Sequence, residues 1–266
     1  MTTQPTPRRV AVIQARMSST RLPGKVLMPL LGLPAIVFMV QRVRQSKRLD
    51  EVVVATSSDR SDDELARCLD AAGIRYHRGS LDDVLDRYYQ AALASGADHV
   101  VRLTGDCPLM DADLVDEALE RLAAGGTAYV SNVDPPTYPD GLDVEAFTFE
   151  ALQRAWREAT LPVEREHVTP YLRNRKDLFP AECWRGLSDL SALRWTVDHP
   201  DDLDHVRSLI ERLAPSDPTA FDRFDLYRVC ERGHSLAAQP QHRRNEGMDK
   251  HLLQQPQGER DGRAED

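Results

Sequence analysis

The residues best suited to bind an anion lie in one short loop near the amino terminus. Residues 10–13 are apolar and predict a strand, and the loop after them carries the cations Arg16, Arg21 and Lys25. Hydroxyl side chains lie between these cations, at Ser18, Ser19 and Thr20. Hydroxyl and backbone N–H groups donate hydrogen bonds to phosphate oxygens, and cations neutralise the negative charge of the phosphates. A solvated basic connector is the alternative, but this composition directly after a strand favours a triphosphate-binding loop.

Two carboxylates could hold a metal ion beside such phosphates. Asp106 follows a Thr-Gly step at the end of one predicted strand, and Asp198 follows the predicted strand 193–197. Mg²⁺ prefers one or two protein carboxylates together with phosphate oxygens. The alternative for Asp106 is a turn or capping role. A capping role is less suitable for Asp198. The proline two residues later suits the first position of a helix, so His199 would be the N-cap and Asp198 would lie outside the helix.

Further polar groups would have to recognise a base and a second substrate. Arg78 follows the third predicted strand, where its guanidinium could donate to a pyrimidine carbonyl; an ordinary surface arginine is the alternative. Ser80 is predicted to cap the next helix. Four side chains could bind a polyhydroxylated acceptor or act as a base, although each could also be packed or solvated: Asp143, Glu145, Glu166 and His167.

Composition and missing signatures exclude several classes of protein. The chain has no Ser-His-Asp order, no His/Cys cluster and no G-x-G-x-x-G, so a hydrolase, a zinc enzyme and a dinucleotide dehydrogenase lack support. Its four cysteines are widely scattered, which argues against a disulfide framework. With 34 Lys and Arg against 43 Asp and Glu the net charge is −9, so we expect no nucleic-acid partner.

The same bulk properties predict where the chain acts and how it is divided. No apolar run approaches the ~20 residues that span a bilayer, and the first residues lack the hydrophobic core of a signal peptide. We therefore expect a cytoplasmic protein without membrane insertion. The 266 residues predict one α/β domain over residues 1–252 and a polar, disordered tail over residues 253–266.

Short β-branched segments alternate with helical patterns in the first half of the chain. Strands are predicted at 10–13, 51–56, 74–77 and 99–103, and helices at 34–44, 62–72 and 82–94. This alternation predicts a mainly parallel sheet with helices on both faces, whose ligands bind beyond the carboxyl ends of the strands. The later elements are less regular, with strands at 128–131, 144–148, 181–185 and 193–197 and helices at 111–124, 150–159, 163–174 and from 200 and 219. The loop 134–141 between two of them could be a lid or an oligomer contact.

Together these motifs resemble those of the cytidylyltransferases that make CMP-activated acidic sugars. The resemblance rests on residues 14–25, 104–109 and 197–203 and extends from about residue 10 to residue 250. Within that group the chain is most similar to the spore coat polysaccharide biosynthesis branch. That branch shows patterns similar to residues 78–88, 138–145 and 244–247.

The resemblance implies a Rossmann-like nucleotidyltransferase fold, a homodimer, and CTP, Mg²⁺ and a sugar acceptor as ligands. A sugar hydroxyl would attack the α-phosphorus of CTP, and pyrophosphate would leave. The implied catalytic residues are Arg16, Lys25 and Asp106, and the implied metal ligands are Asp106 and Asp198. The implied nucleotide-binding residues are Gln14, Ala15, Arg16, Ser18, Ser19, Arg21, Lys25, Arg78, Thr104 and Asp106, with Arg78 on the cytosine.

Two alternatives stay open at this point. A glycosyltransferase that uses a nucleotide sugar shares the nucleotide-binding half of such a fold, but its usual Asp-x-Asp is missing at residues 105–108. A non-catalytic nucleotide-binding protein of the same fold would not need the complete set of cations and carboxylates described above. The chain departs from the sialic-acid and keto-octonate enzymes after Asn132, which leaves the acceptor undetermined.

Overall fold

The computed structural model describes residues 6–232, 239–244 and 246. The predicted tail, residues 253–266, lies outside this part of the chain. The strands are β1 (Arg9–Gln14), β2 (Pro29–Leu30), β3 (Leu33–Pro34), β4 (Glu51–Ser57), β5 (Tyr76–Gly79), β6 (His99–Thr104), β7 (Tyr129–Ser131), β8 (Glu145–Thr148) and β9 (Ala181–Cys183). The helices are α1 (Ala35–Val43), α2 (Asp63–Ala71), α3 (Val84–Ala94), α4 (Ala112–Ala123), α5 (Phe149–Glu158), α6 (Pro162–His167), α7 (Pro170–Asn174), α8 (Pro200–Leu213) and α9 (Arg223–Arg232).

Seven strands form one sheet in the order β5-β4-β1-β6-β8-β7-β9. Strands β5, β4, β1 and β6 pair in parallel, as the alternating helices require. Strand β8 runs antiparallel to both of its neighbours, β6 and β7, and β9 is parallel to β7. The prediction of an α/β fold with a mainly parallel sheet is confirmed.

The apolar strand β1 lies at the centre of the sheet and is buried on both faces. Val10 and Val12 pack into one core cluster with residues of α3 and α5, whereas Ala11 and Ile13 pack into the opposite cluster with residues of α1 and α4. Successive side chains of a strand point to opposite faces, so a strand covered on both sides must be apolar throughout. Each fully buried side chain of this size contributes about 1.5–3 kcal/mol, which fixes the strand end that carries the anion-binding loop.

Three predicted elements differ in the structure. Residues 193–197 are extended but form only an isolated bridge, between Arg194 and Asp140. Their backbone bonds go to loops: the Trp195 N–H donates to the Asp140 carbonyl at 2.6 Å and the Val197 N–H to the Asp106 carbonyl at 2.8 Å. The predicted strand is therefore wrong, because no neighbouring strand is available to pair with this segment.

The predicted helix 163–174 is split into α6 and α7. Val168 has φ 71°, and Pro170 has no N–H to continue the helical hydrogen bonds. The helix predicted from residue 82 begins instead at Val84 with Asp83 as its N-cap, whose carboxylate accepts from the Asp86 N–H at 2.9 Å. Ser80 is thus not the cap; its hydroxyl accepts from the Asp83 N–H at 3.2 Å.

Candidate functional site

A cavity of about 530 Å³ opens at the carboxyl ends of β1 and β6. This is the edge of the sheet at which ligands bind in open α/β folds. The structure brings to it most of the side chains singled out in the sequence: Gln14, Ala15, Arg16, Ser19, Arg21, Lys25, Thr104, Asp106, Asp143, Glu145, Glu166, His167 and Asp198. Two predicted nucleotide-binding residues, Ser18 and Arg78, do not line it.

An ion-paired cluster forms the centre of the cavity. The Lys25 ammonium lies 3.0 Å from Oδ2 of Asp106 and 2.8 Å from Oδ1 of Asp198, and it is buried. Arg21 adds a second cation, with Nη2 2.6 Å from Oδ1 of Asp198. Two carboxylates that are far apart in the sequence therefore converge on one cationic atom.

The charges of this cluster stabilise one another. Burial lowers the pKa of Lys25, but the carboxylates of Asp106 and Asp198 more than offset this effect and leave that pKa raised. Burial raises the pKa of Asp106, and the nearby Lys25 ammonium reverses the shift, so the pKa lies well below its usual range. Lys25 is therefore a cation and Asp106 a carboxylate at neutral pH.

The predicted anion-binding loop is held in place by the side chain of Asp62 and by a backbone hydrogen bond within the loop. The buried Asp62 accepts from the Met17 N–H at 2.6 Å, and the Met17 carbonyl accepts from the Gly24 N–H at 2.9 Å. Gly24 has φ 74°, a left-handed conformation that glycine adopts without strain, and the 3-10 turn with Lys25 follows it directly. The loop therefore presents Lys25 inward from a fixed backbone.

Close packing of strand ends positions Asp106. A Cβ added to Gly105 would lie 2.9 Å from Cβ of Ala15 and 3.0 Å from the carbonyl oxygen of Gln14, so only glycine fits between β1 and the residue that follows β6. Asp198 is tied to the same point, since the N–H of Val197 donates to the Asp106 carbonyl at 2.8 Å. The backbone thus holds the two carboxylates together, independently of their ion pairs.

The buried Arg194 stabilises the backbone at Asp198 through Asp202. Arg194 donates to both carboxylate oxygens of Asp202, at 2.7 and 2.9 Å, and Asp202 in turn accepts from the N–H groups of Asp198 and His199, each at 2.9 Å. His199 is the N-cap residue of α8, as predicted. Asp198 has no capping role and is free to face the cavity.

The donor set formed by Asp106 and Asp198 fits Mg²⁺. Both carboxylates reach a common atom, Nζ of Lys25, at 3.0 Å or less. Carboxylate oxygens are the ligands that Mg²⁺ takes from proteins, and it completes its shell with phosphate oxygens and water. Asp106 and Asp198 are therefore the residues that could hold a divalent cation at this point.

Four further residues that line the cavity are those predicted to bind an acceptor, and we call their part of the wall the acceptor end: Asp143, Glu145, Glu166 and His167. Glu145 on β8 is ion-paired with Arg102 on β6 at 2.6 Å and accepts a hydrogen bond from the hydroxyl of Tyr129. Asp143 is ion-paired with Arg244. Burial raises the pKa of Asp143, and Arg244 counters part of this effect. Both predicted carboxylates are thus held by arginines.

Two arginines that line the cavity, Arg102 and Arg173, are absent from the sequence predictions. Arg102 is a charged residue inside the otherwise apolar strand β6, and this signal could have indicated it. Arg173 lies on α7, and its surroundings in the sequence give no such signal. Sequence reasoning recognised the strand ends more readily than the helices that close the cavity.

The loop 134–141 forms part of the cavity wall. Asp140 lines the cavity and is ion-paired with the buried Arg194 at 2.7 Å. Burial raises the pKa of Asp140 to about 6. A Cβ added to Gly141 would lie 2.7 Å from the backbone nitrogen of Thr196, so glycine allows the loop to pack on that segment. In this structure the loop is packed against residues 194–197.

The guanidinium of Arg78 is used within the fold and lies away from the cavity. It donates to the carbonyls of Ser57 and Asp59, at 2.8 and 2.9 Å, and is ion-paired with Asp63 at 2.7 Å. Arg16, in contrast, lines the cavity and forms no ion pair with any residue that the structure describes. The structure therefore does not place Arg78, the residue predicted to contact cytosine, among those that line the cavity.

These placements predict different effects of two arginine substitutions. Arg16→Ala is expected to weaken CTP binding about tenfold or more, because a charge-assisted bond to phosphate is lost. Arg78→Ala should leave CTP affinity within about twofold and lower thermal stability slightly, because it loses contacts made within the fold. Isothermal titration with CTP and thermal unfolding separate the two effects. A large loss of CTP affinity in Arg78→Ala would restore this residue to the nucleotide site.

Comparison with known proteins identifies the family of this chain. A model of the cytidylyltransferase family matches residues 10–213. The spore coat polysaccharide biosynthesis protein SpsF of Bacillus subtilis is 36% identical over 208 residues, which cover 76% of this chain and 85% of SpsF. An uncharacterised protein of Methanocaldococcus jannaschii is 39% identical over 170 residues, covering 64% of this chain and 69% of that protein.

Solved structures show the same fold. A cytidylyltransferase from Leptospira borgpetersenii is 32% identical and superimposes with a TM-score of 0.83 over 90% of this chain and 100% of its own. CMP:2-keto-3-deoxy-manno-octonic acid synthetase, solved with CTP, is 21% identical and has a TM-score of 0.60 over 77% of this chain and 99% of its own. The second likeness concerns the fold alone.

The fold and the cavity together define a nucleotidyltransferase. The chain belongs to the cytidylyltransferase family, and the resemblance predicted from its motifs is confirmed. Within the described residues, the helices are all too short or too polar to cross a bilayer.

Proposed function

We propose that this enzyme uses CTP and Mg²⁺ to activate an acidic sugar as a CMP-sugar for surface polysaccharide synthesis. The observation that carries the proposal is the convergence of Arg21, Lys25, Asp106 and Asp198 on one cavity. A sugar oxygen would form a bond to the α-phosphorus of CTP, and the bond from that phosphorus to the bridging oxygen would break. Pyrophosphate would leave with the electron pair, and the hydroxyl proton would pass to water.

The cations of the loop would bind the triphosphate, and the carboxylates would hold the metal. In the structure, Lys25 and Arg21 neutralise Asp106 and Asp198. On binding, these cations would turn to phosphate oxygens while the two carboxylates become ligands of Mg²⁺. Asp106 and Asp198 would hold Mg²⁺, whose positive charge would offset that of the phosphates and make the attacking sugar hydroxyl more acidic. In such an exchange of partners, the two cations and the metal would offset most of the negative charge that the carboxylates and the triphosphate bring together.

Charge at the acceptor end supports an acidic sugar. Arg173 lines the cavity and makes no ion pair with any of the described residues. Arg102 is already paired with Glu145. The guanidinium of Arg173 could therefore bind a carboxylate of the acceptor, while Glu145 and Glu166 line the same cavity and could accept from its hydroxyl groups. Similarity to SpsF supports a role in polysaccharide synthesis. The homodimer and the cytoplasmic location stay predictions.

Pyrophosphate release tests this proposal. We expect release with CTP, Mg²⁺ and one acidic sugar, and none with ATP, GTP or UTP. The panel should include 3-deoxy-manno-octulosonate, the sugar that relatives with 34–36% identity are named for, together with sialic acids and neutral hexoses as controls. Release with UTP alone, or turnover of a nucleotide sugar without pyrophosphate, would contradict the proposal. The second outcome would favour a glycosyltransferase.

A further inference from the structure

Residues 239–244 and 246 form a segment that we name the carboxyl-terminal strap. It lies beyond residues 10–213, which the family model matches. Gln239 anchors its beginning and is buried: its Oε1 accepts from the Arg194 N–H at 2.9 Å, and its Nε2 donates to the Ala192 carbonyl at 2.6 Å. The strap is thus fastened to the segment that leads into Asp198.

The strap contacts both the loop that carries Arg21 and the acceptor end of the cavity. Glu246 lines it, with Oε2 3.6 Å from Nη1 of Arg21 and 3.4 Å from Nε2 of His199. At the acceptor end, Arg244 donates to the Tyr138 carbonyl at 3.1 Å and is ion-paired with Asp143. Its side chain is 16% exposed. The neighbouring Arg243 is exposed, and its side chain has no polar contact with the described residues.

Arg244 balances a local excess of negative charge. Asp140 and Asp143 lie within three residues of each other, and both line the cavity. Arg194 is ion-paired with Asp140 at 2.7 Å. Among the described residues, Arg244 is the ion-pair partner of Asp143, and its Nε also lies 4.0 Å from Oδ1 of Asp140. Removing one member of a partly buried pair leaves a charge without compensation, and such a carboxyl group takes up a proton or turns away.

We propose that Arg244 is a positioning residue of the acceptor site, which holds the Asp143 carboxylate ionised and aimed into the cavity. An ionised carboxylate accepts hydrogen bonds from sugar hydroxyl groups, whereas a protonated one loses part of that capacity. The strap would therefore supply acceptor recognition from a segment that follows residues 10–213. This inference rests on the proposed function, since it requires a hydroxyl-bearing acceptor at this end of the cavity.

Steady-state kinetics of Arg244→Met test the inference. With 3-deoxy-manno-octulosonate, or a better acceptor from the sugar panel, we expect the KM for the sugar to rise about tenfold or more. The dissociation constant for CTP, measured by calorimetry without sugar, should change less than about twofold, because Arg244 does not line the cavity and is not ion-paired with the carboxylates that hold Arg21 and Lys25. Arg244→Lys should restore part of the sugar affinity, since it keeps the charge but loses the planar fork.

Two further variants separate positioning from a general structural role. Arg243→Met removes the same charge from the neighbouring residue and should behave as wild type. Asp143→Asn should raise the KM for the sugar as Arg244→Met does, and the double variant should be no worse than Asp143→Asn alone, because the two residues act together.

Several outcomes would overturn the inference. An unchanged KM for the sugar in Arg244→Met would remove this residue from acceptor recognition, and equal losses for sugar and CTP would indicate a purely structural role. Equal effects of the Arg243 and Arg244 substitutions would point to general electrostatics. If the wild-type enzyme releases no pyrophosphate from CTP with any sugar, the proposed function fails, and the inference fails with it.

Discussion

Asp106→Asn is expected to lower the rate of pyrophosphate release by about a thousandfold while leaving the fold intact, because several kcal/mol of charge stabilisation by the metal would be lost. Asn has the same shape as Asp but carries no charge, so it is a poor partner for Mg²⁺ and for the Lys25 ammonium. The pKa of Asp106 lies below its usual range, so the wild-type residue is a carboxylate throughout the neutral pH range. Lys25 would still have Asp198 at 2.8 Å and would stay in place.

The measurement is pyrophosphate release at several Mg²⁺ concentrations, together with thermal unfolding. Asp111→Asn is the matched control, because this buried aspartate caps α4 and is ion-paired with Arg223, away from the cavity. The control should lower the melting temperature and retain turnover. Wild-type turnover and an unchanged Mg²⁺ dependence in Asp106→Asn would remove Asp106 from the metal site.

Lys25→Met is expected to weaken CTP binding about a hundredfold and CMP binding less than about threefold. The proposed partner of Lys25 is the outer part of the triphosphate, which CMP lacks. Loss of the ammonium would also leave Asp106 and Asp198 with less positive charge nearby, and these carboxylates would repel the phosphates. Both effects weaken the binding of CTP.

Calorimetric titrations with CTP and with CMP, in Mg²⁺ and without sugar, give the comparison. Lys47→Met is the control, because Lys47 is exposed and distant from the cavity residues. It should bind both nucleotides as wild type does. Equal losses for CTP and CMP in Lys25→Met would place the lysine at the α-phosphate or the nucleoside instead.

Local patterns were sufficient for much of the fold. The strands β1, β4, β5 and β6 and the helices between them follow from short-range periodicity, because each of these elements buries a regularly spaced set of apolar residues. The predicted strand 193–197 shows the limit of this reasoning. Its apolar residues are buried as a strand's would be, but their backbone partners belong to Asp106 and Asp140, more than fifty residues away.

The same limit applies to side chains in the site. Arg78 follows a strand at the ligand edge, as Asp106 does, and the sequence alone does not distinguish a guanidinium that faces the cavity from one that faces away. The structure shows that Ser57, Asp59 and Asp63 already bind that guanidinium. For Arg244 the sequence does not indicate the partner, because Asp143 precedes it by 101 residues.

The amino-acid sequence by itself determined the α/β class and singled out the predicted anion-binding loop and the carboxylates of Asp106 and Asp198, of which only Asp106 follows a strand. These features are encoded locally, in apolar spacing and in the residue types next to it. Only the tertiary structure decided which side chains face one another: Lys25 between Asp106 and Asp198, Arg102 on Glu145, and Arg244 on Asp143. Ion pairs depend on distance in space, and chain folding sets that distance through packing that no short stretch of sequence records.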